Sequence, residues 1–359
     1  MKVLQVVGSL GRGGAETMIT NYNKVAKENG CKFDYIIHEN QKFGYEEDVK
    51  KLEANLFLID KPGKIGLINY IKLLVKTIRE NGPYDAIHAH TDYQVFMTVI
   101  AAKIANVPNC VVHSHTTNYS LIQKIVNRII FFILKPVKLA CGEEAGIALY
   151  GKNNFFVLNN AIFVDEYITI NKEKIEQLKK EIGILDNNIV LGQVGRLINL
   201  KNHIFSLKVL NKLLEKNKNY LLLIVGDGEE KENLINICKD MGIQKNVKFL
   251  GLRNDMKDIY HLFDALLMPS LYEGLPMTLL EAQSVGIPCI CSNNISKESD
   301  RKLGLVNFIP LEQIKWIQVL ESIKNNELSS IKIKKAMAEY DIINQCNDLL
   351  NYYQLGNKK

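Results

Sequence analysis

Two doubly wound, Rossmann-like α/β domains are what this sequence predicts. Three observations carry that reading. Short apolar runs alternate with longer amphipathic ones along most of the chain. The alternation restarts near residue 172, after a turn-rich stretch. At 359 residues, the chain is long for one hydrophobic core and long enough for two. A hydrophobic share of 47% against 23% charged supplies the apolar surface such cores need and argues against disorder.

In the first half, residues 3–7, 33–38, 56–59, 86–88 and 110–113 are apolar without a polar alternation. That is the pattern of parallel strands covered on both faces. Helical periodicity fills residues 14–29, 67–81 and 93–105 between them. Strand, helix and strand in turn imply a doubly wound parallel sheet. The boundary is expected within residues 165–170, giving domains of 1–168 and 169–330. A charged helix over 172–182 and a turn at Asp186, Asn187 and Asn188 open the second domain. Strands follow at 189–194, 220–225, 247–250, 265–268 and 288–291. Residues 331–359 carry a long helical pattern with Met337, Ile342 and Leu349 as its apolar marks. This tail either closes the second domain or packs back on the first, and we expect the latter. Two such domains would face one another across a cleft, with ligands at the carboxyl ends of the strands.

Composition excludes several classes. No stretch approaches the roughly 20 apolar residues of a membrane-spanning helix. The first apolar run is short and ends at Gly8, so it reads as a strand rather than a secretory leader. Seven cysteines, Cys31, Cys110, Cys141, Cys238, Cys289, Cys291 and Cys346, show no paired C-x-x-C spacing and read as reduced core thiols of a cytoplasmic protein. The net charge is +6 and unevenly placed, with 19 Lys and Arg against 14 Asp and Glu in residues 1–160. No acid lies between Asp92 and Glu143, whereas Lys103, Lys124, Arg128, Lys135 and Lys138 do. Such an excess suits an anionic surface, either membrane or nucleic acid. Residues 121–138 read in two ways: a helix packed on the first domain with its cations in water, or a face resting on an anionic leaflet.

Candidate functional residues fall just after strands. Gly8 to Glu16 contain Gly11, Gly13 and Gly14 where the first strand turns into a helix, a place for close backbone approach to a phosphate. A plain tight turn explains the segment too, and G-x-G-x-x-G and Walker spacings are missing. Gly195, Arg196 and Lys201 follow the first strand of the second domain and could clamp a diphosphate; a solvated basic loop is the plainer alternative. Gly226, Asp227 and Gly228 form a similar turn. Residues 268–282 hold Glu273 in a loop framed by Gly274, Leu275 and Pro276, and Glu281 on the helix beyond. Carboxylates there suit the paired hydroxyls of a sugar or ribose. His88 and His90 end one strand, and His113 and His115 another. Metal binding, hydrogen bonding to substrate and plain packing are all open to them, although no further ligand at a familiar spacing supports a metal.

Together these segments resemble glycosyltransferase family 4, from Met1 to about Ser292. The Gly13–Gly14–Ala15–Glu16 turn, Gly195–Arg196 with Lys201–Asn202, Val225 to Gly228, and Pro269–Ser270 through Glu273–Gly274–Leu275–Pro276 to Glu281–Ala282 carry the likeness. Glu273 and Glu281 match the E-x(7)-E pair of that family. The resemblance implies a retaining GT-B enzyme of the capsule or exopolysaccharide type that uses a nucleotide sugar, UDP-linked in kind, and no metal cofactor. It implies that Arg196 and Lys201 bind the donor diphosphate. Glu281 would hold the ribose, Glu273 the transferred sugar, and Gly13 and Gly14 would approach the β-phosphate. Gly195, Gly226, Asp227, Gly274 and Leu275 would line the donor. His115, rather than His113, would touch the donor sugar. A glycan or lipid-linked acceptor at the inner face of the membrane would follow, with no nucleic-acid partner. After Ser292 the sequence departs from the family, reading Asn293, Asn294, Ile295, Ser296, Lys297 and Glu298. The competing readings are a nucleotide-sugar epimerase or hydrolase of the same fold, and a silent partner in a polysaccharide assembly.

Overall fold

The computed structural model describes residues 1–11, 14–40, 44–90, 95–152, 154–323 and 328–355. The chain forms two units, Met1–Ile162 with Glu339–Lys359, and Phe163–Ala338.

In the first unit, the described strands are β1 Lys2–Val6, β2 Lys32–Ile37, β3 Leu56–Leu58, β4 Ala86–Ala89, β5 Asn109–Ser114, β6 Val137–Ala140 and β7 Phe156–Val157. They pair in parallel in the order β3-β2-β1-β4-β5-β6-β7. The second unit contains β8 Ile189–Val194, β9 Tyr220–Val225, β10 Val247–Gly251, β11 Ala265–Met268, β12 Cys289–Ser292 and β13 Val306–Ile309. Its order is β10-β9-β8-β11-β12-β13, again parallel. Strand order therefore reverses between β1 and β4, and between β8 and β11. Those reversals are the switch points at which open α/β sheets bind ligands.

The second sheet illustrates why such strands lack polar alternation. Leu222 and Ile224 of β9 pack with helix His203–Lys216, Leu267 and Trp316. Leu221, Leu223 and Val225 pack on the other side with Leu178, Leu266, Leu279 and Cys291. Both faces are covered, so every position is apolar.

Several expectations are corrected. The segment 121–138 is not one helix. Helix Leu121–Leu134 ends at Lys135, which adopts a left-handed conformation, and Lys138 lies within β6. β6, β7 and β13 were not expected. The second unit begins at Phe163 rather than residue 169, because helix Val164–Ile168 packs on helix Met277–Val285 of that unit. The tail is two helices. Ser330–Met337 stays with the second unit, and Ile342–Tyr352 packs on Gly14–Glu28 of the first. Asp341 separates them by capping Ile343 and Asn344 with its carboxylate. Residues 93 and 94 of the expected helix over 93–105 lie outside the described residues, and Val95–Ile104 is helical. None of the seven cysteines is in a disulfide. Among the described residues, no helix is long and apolar enough to cross a membrane.

Trp316 is the only tryptophan and is fully buried in the second unit, so its emission reports that unit. Leu267→Ala opens a cavity beside the same core and should cost about 2–5 kcal/mol. A urea titration followed by tryptophan emission should show the midpoint falling accordingly.

Candidate active site

The turns after β8 and β9 lock together. The Gly195 N–H donates to Val225 O at 2.9 Å, and Leu197 N–H to Asp227 O at 3.0 Å. Glu230 N–H returns to Leu197 O at 3.0 Å. Gly226 has φ +136° and no room for a side chain, since a Cβ there would lie 2.0 Å from Gly195 O. Asp227 is exposed and lies 3.6 Å from Lys231.

The loop after Gly195 carries the two expected cations into different settings. Arg196 is exposed, and its guanidinium makes no hydrogen bond or ion pair among the described residues. Lys201 ends a short 3-10 turn, and its stem runs beside Gly195, where a Cβ would touch Lys201 Cε at 3.4 Å. Its ammonium donates to Glu273 Oε1, which also accepts from Ser270 Oγ at 2.9 Å. Both partners are mostly buried, with side chains 20% and 15% exposed. Leu271 N–H to Leu200 O and Asn202 Nδ2 to Pro269 O tie the two loops together.

Helix Met277–Val285 follows Gly274, Leu275 and Pro276 and carries Glu281, which has partners of its own. Gly274 is exposed and Leu275 half-buried. Glu281 Oε2 accepts from Tyr260 Oη at 2.6 Å, and Tyr167 bonds it as well. Burial raises the Glu281 carboxyl above its ordinary range, while the two phenols oppose that rise. The divergent stretch after Ser292 packs on the Glu273 loop. Ile295 bridges Glu273, and Ser296 N–H donates to Glu273 O at 3.0 Å.

In the first unit, the register puts His88 beside Gln5 and Val111. With a period of two, Gln5, His88, His90, His113 and His115 all fall on one face of β1, β4 and β5 and their extensions. His88 and His113 stack with centroids 5.4 Å apart, and His113 and His115 lie 4.2 Å apart. His88, His90 and His113 are buried, and His115 is half-buried. Burial pushes all four below their ordinary range, His115 to about 4, so they are neutral at pH 7. One ring nitrogen from each of His88, His90 and His113 lies within 4.8 Å of the others. Gly13 lies outside the described residues, and Gly14 opens helix Gly14–Glu28.

Comparison with known proteins decides the family. The sequence profile described as Glycosyltransferase Family 4 matches residues 12–141, and that described as Glycosyl transferases group 1 matches residues 174–299. EpsF of Bacillus subtilis (strain 168), a glycosyltransferase by name, is 32% identical over 100% of this chain and 97% of its own. The chain belongs to the family 4 glycosyltransferases. An Escherichia coli enzyme named UDP-Gal:alpha-D-GlcNAc-diphosphoundecaprenol alpha-1,3-galactosyltransferase is 32% identical to this transferase over 76% of the chain and 71% of its own. Among solved structures, Anabaena HepE in complex with UDP covers 98% of the transferase and 99% of its own chain, with a TM-score of 0.80 at 19% identity. That likeness establishes the GT-B fold.

Sequence reasoning missed Ser270, Tyr260 and Tyr167, which hold the two glutamates. Ser270 lay inside a recognised motif. The tyrosines carried no signal, because their partner Glu281 is 21 or more residues away. Gly226→Ala should destabilise the transferase by about 1–3 kcal/mol through its φ alone, and more through the clash with Gly195 O. Urea denaturation followed by Trp316 emission measures it.

Proposed function

We propose that this transferase moves a sugar, with retention at its anomeric carbon, from a UDP-type donor to a glycan or lipid-linked acceptor in cell-surface polysaccharide synthesis. The observation that carries this reading is the Lys201–Glu273 pair beside the Gly195–Arg196 turn at a switch point. The named galactosyltransferase relative acts from UDP-Gal on a diphosphoundecaprenol acceptor, and HepE was solved with UDP-glucose, which supports the donor and acceptor classes.

In this reading each residue has a task. An ammonium has three N–H donors, so Lys201 can keep Glu273 and still face a diphosphate. Arg196 supplies a second, planar donor set. As the bond to the sugar breaks, negative charge grows on the departing diphosphate, and these fixed cations stabilise it. Glu281 accepts from the ribose hydroxyls, and Glu273 orients the sugar. Gly195, Gly226, Asp227, Gly274 and Leu275 shape the donor pocket of the second unit; in the first unit, the helix start at Gly14 suits a phosphate and His115 a sugar hydroxyl. No divalent metal is needed, because side-chain cations do its electrostatic work.

A membrane-facing role for helix Leu121–Leu134 belongs to the same proposal, with the protein peripheral on the inner face. Ser120 and Gln123 form a capping box at its start. Asn127 and Phe131 are its buried residues, whereas Leu121, Ile122, Ile125, Ile129, Phe132 and Ile133 are exposed, Phe132 by 81%. A contiguous apolar face of this kind is a recognised mark of membrane or protein contact. The cations contribute less than the sequence suggests. Arg128 Nε donates to Leu149 O at 3.1 Å, and Lys138 is half-buried in β6. Lys124 and Lys135 remain to meet an anionic leaflet.

Arg196→Ala and Lys201→Ala should each lose roughly 2–4 kcal/mol of transition-state binding, about 10²–10³ in rate. Turnover of UDP-sugars with excess EDTA present should persist in the unsubstituted enzyme. Near-normal turnover in both variants, or a metal requirement, would remove the Arg–Lys account.

Co-sedimentation with anionic vesicles should detect binding by the full chain. Ile122→Ser with Phe132→Ser should abolish it, while added salt should weaken it only in part. Unchanged binding in the double variant would exclude this helix as the contact.

A further inference from the structure

Five side chains of the first unit form one hydrogen-bonded chain. His115 Nε2 lies 2.9 Å from His90 Nδ1, and His90 Nε2 lies 2.9 Å from Gln5 Oε1. Gln5 Nε2 donates to Tyr353 Oη at 3.0 Å, and that oxygen lies 2.8 Å from His88 Nδ1. The direction of every bond follows from the Gln5 amide. An amide oxygen only accepts, so His90 carries its proton on Nε2 and offers a lone pair at Nδ1. His115 must then donate from Nε2. A neutral imidazole has a single N–H, so His115 Nδ1 is bare. At the other end, Tyr353 accepts from Gln5, and His88 Nδ1 is the partner that can take its one hydroxyl hydrogen.

His115 is the half-buried member of the four rings. Its Nδ1 has no hydrogen-bond partner among the described residues, so it is free to accept from a ligand. We propose that Tyr353 and Gln5 are positioning residues that lock His115 in the Nε2–H tautomer, so that bare Nδ1 accepts a hydrogen bond from a donor-sugar hydroxyl. This rests on the reading of His115 as a sugar contact. The lock depends on Tyr353 because its one hydroxyl hydrogen, given to His88 Nδ1, leaves the oxygen only able to accept, which keeps the Gln5 NH2 turned towards it. Without it the amide can turn its NH2 to His90. His90 would then donate from Nδ1, and His115 would carry its proton on Nδ1, where a hydroxyl hydrogen meets no lone pair.

The same rings invite a metal reading, because His88, His90 and His113 gather three nitrogens within 4.8 Å. Both nitrogens of His113 and Nε2 of His88 are buried without partners. A cation needs a lone pair from each ligand. His90 uses both nitrogens in the chain, and His88 Nε2 carries the proton. The bond directions therefore favour the tautomer lock.

Nitrogen-15 NMR of the histidine-labelled full chain reads the tautomers directly, with His115 assigned by His115→Gln. The expected wild-type result is a protonated Nε2 and a bare Nδ1. Tyr353→Phe keeps the ring and should give mixed tautomers at His115. Its kcat/KM should fall about fivefold, the net worth of one hydrogen bond, with UDP affinity unchanged. A wild-type His115 protonated on Nδ1 overturns the proposal. So does a Tyr353→Phe variant with unchanged tautomer and turnover. Stoichiometric zinc that shifts the His88, His90 and His113 signals also overturns it. If His115→Ala turns over normally, the sugar contact is wrong, and the spectra still decide the lock.

Discussion

Parallel pairing forces all strands of a sheet to end on the same edge, and most features of this protein follow from that constraint. Each strand needs a crossover to return, and the right-handed crossover lays helices on both faces. Where the strand order reverses, neighbouring crossovers leave on opposite sides and a crevice opens between their first turns. In the second unit that crevice lies between β8 and β11. The turn after β8 brings Gly195, Arg196 and Lys201, and the loop after β11 brings Ser270 and Glu273. The Lys201–Glu273 contact spans 72 residues of sequence and joins adjacent strand ends.

Charge pairing decides what such a crevice can do. Lys201 and Glu273 are each largely removed from water, where a lone charge would be costly and a paired one is tolerated. The pair therefore fixes the Lys201 side chain beside the Gly195 turn before any ligand arrives. Arg196 is exposed, with no ion pair among the described residues. The diphosphate of the proposed donor would meet one preorganised cation and one exposed cation. Glu281 differs. Two phenols hold it, and burial raises it, so it suits hydrogen bonding to hydroxyls better than a second cation.

The strands buried on both faces were legible, because double burial writes unbroken apolar runs. β8, β9 and β11 lie where the runs predict. The strands that escaped have local reasons. β6 is short, carries Lys138, and begins just after Pro136 in a stretch read as helical. β7 has two residues. β13 is only partly covered, so Asn307 breaks its run. The helical tail was legible as helix but not as two, since the break is a short 3-10 turn, Ala338–Tyr340, and one capping aspartate, Asp341. At the site, the motif residues after strands were legible because glycine and proline frame them. Tyr167, Tyr260, Gln5 and Tyr353 were not, because each acts on a residue remote in sequence.

The histidines mark the limit of spacing arguments most clearly. His88-x-His90 and His113-x-His115 each show a ligand-like interval, yet the interval is only the strand period of two, which puts both members of a pair on one face. Register does the rest by laying β4 between β1 and β5, so the two pairs and Gln5 converge. Convergence alone would fit a metal, a substrate or packing. The proposed bond directions argue against the metal reading, and they depend on a residue from the far end of the chain. Helix Ile342–Tyr352 packs on helix Gly14–Glu28 and delivers Tyr353 to Gln5 and His88. A residue 265 positions beyond His88 thus joins the hydrogen-bonded chain that, in our proposal, sets the tautomers of its neighbours. A sequence pattern cannot hold that information, because a proton's location depends on every partner in the chain at once.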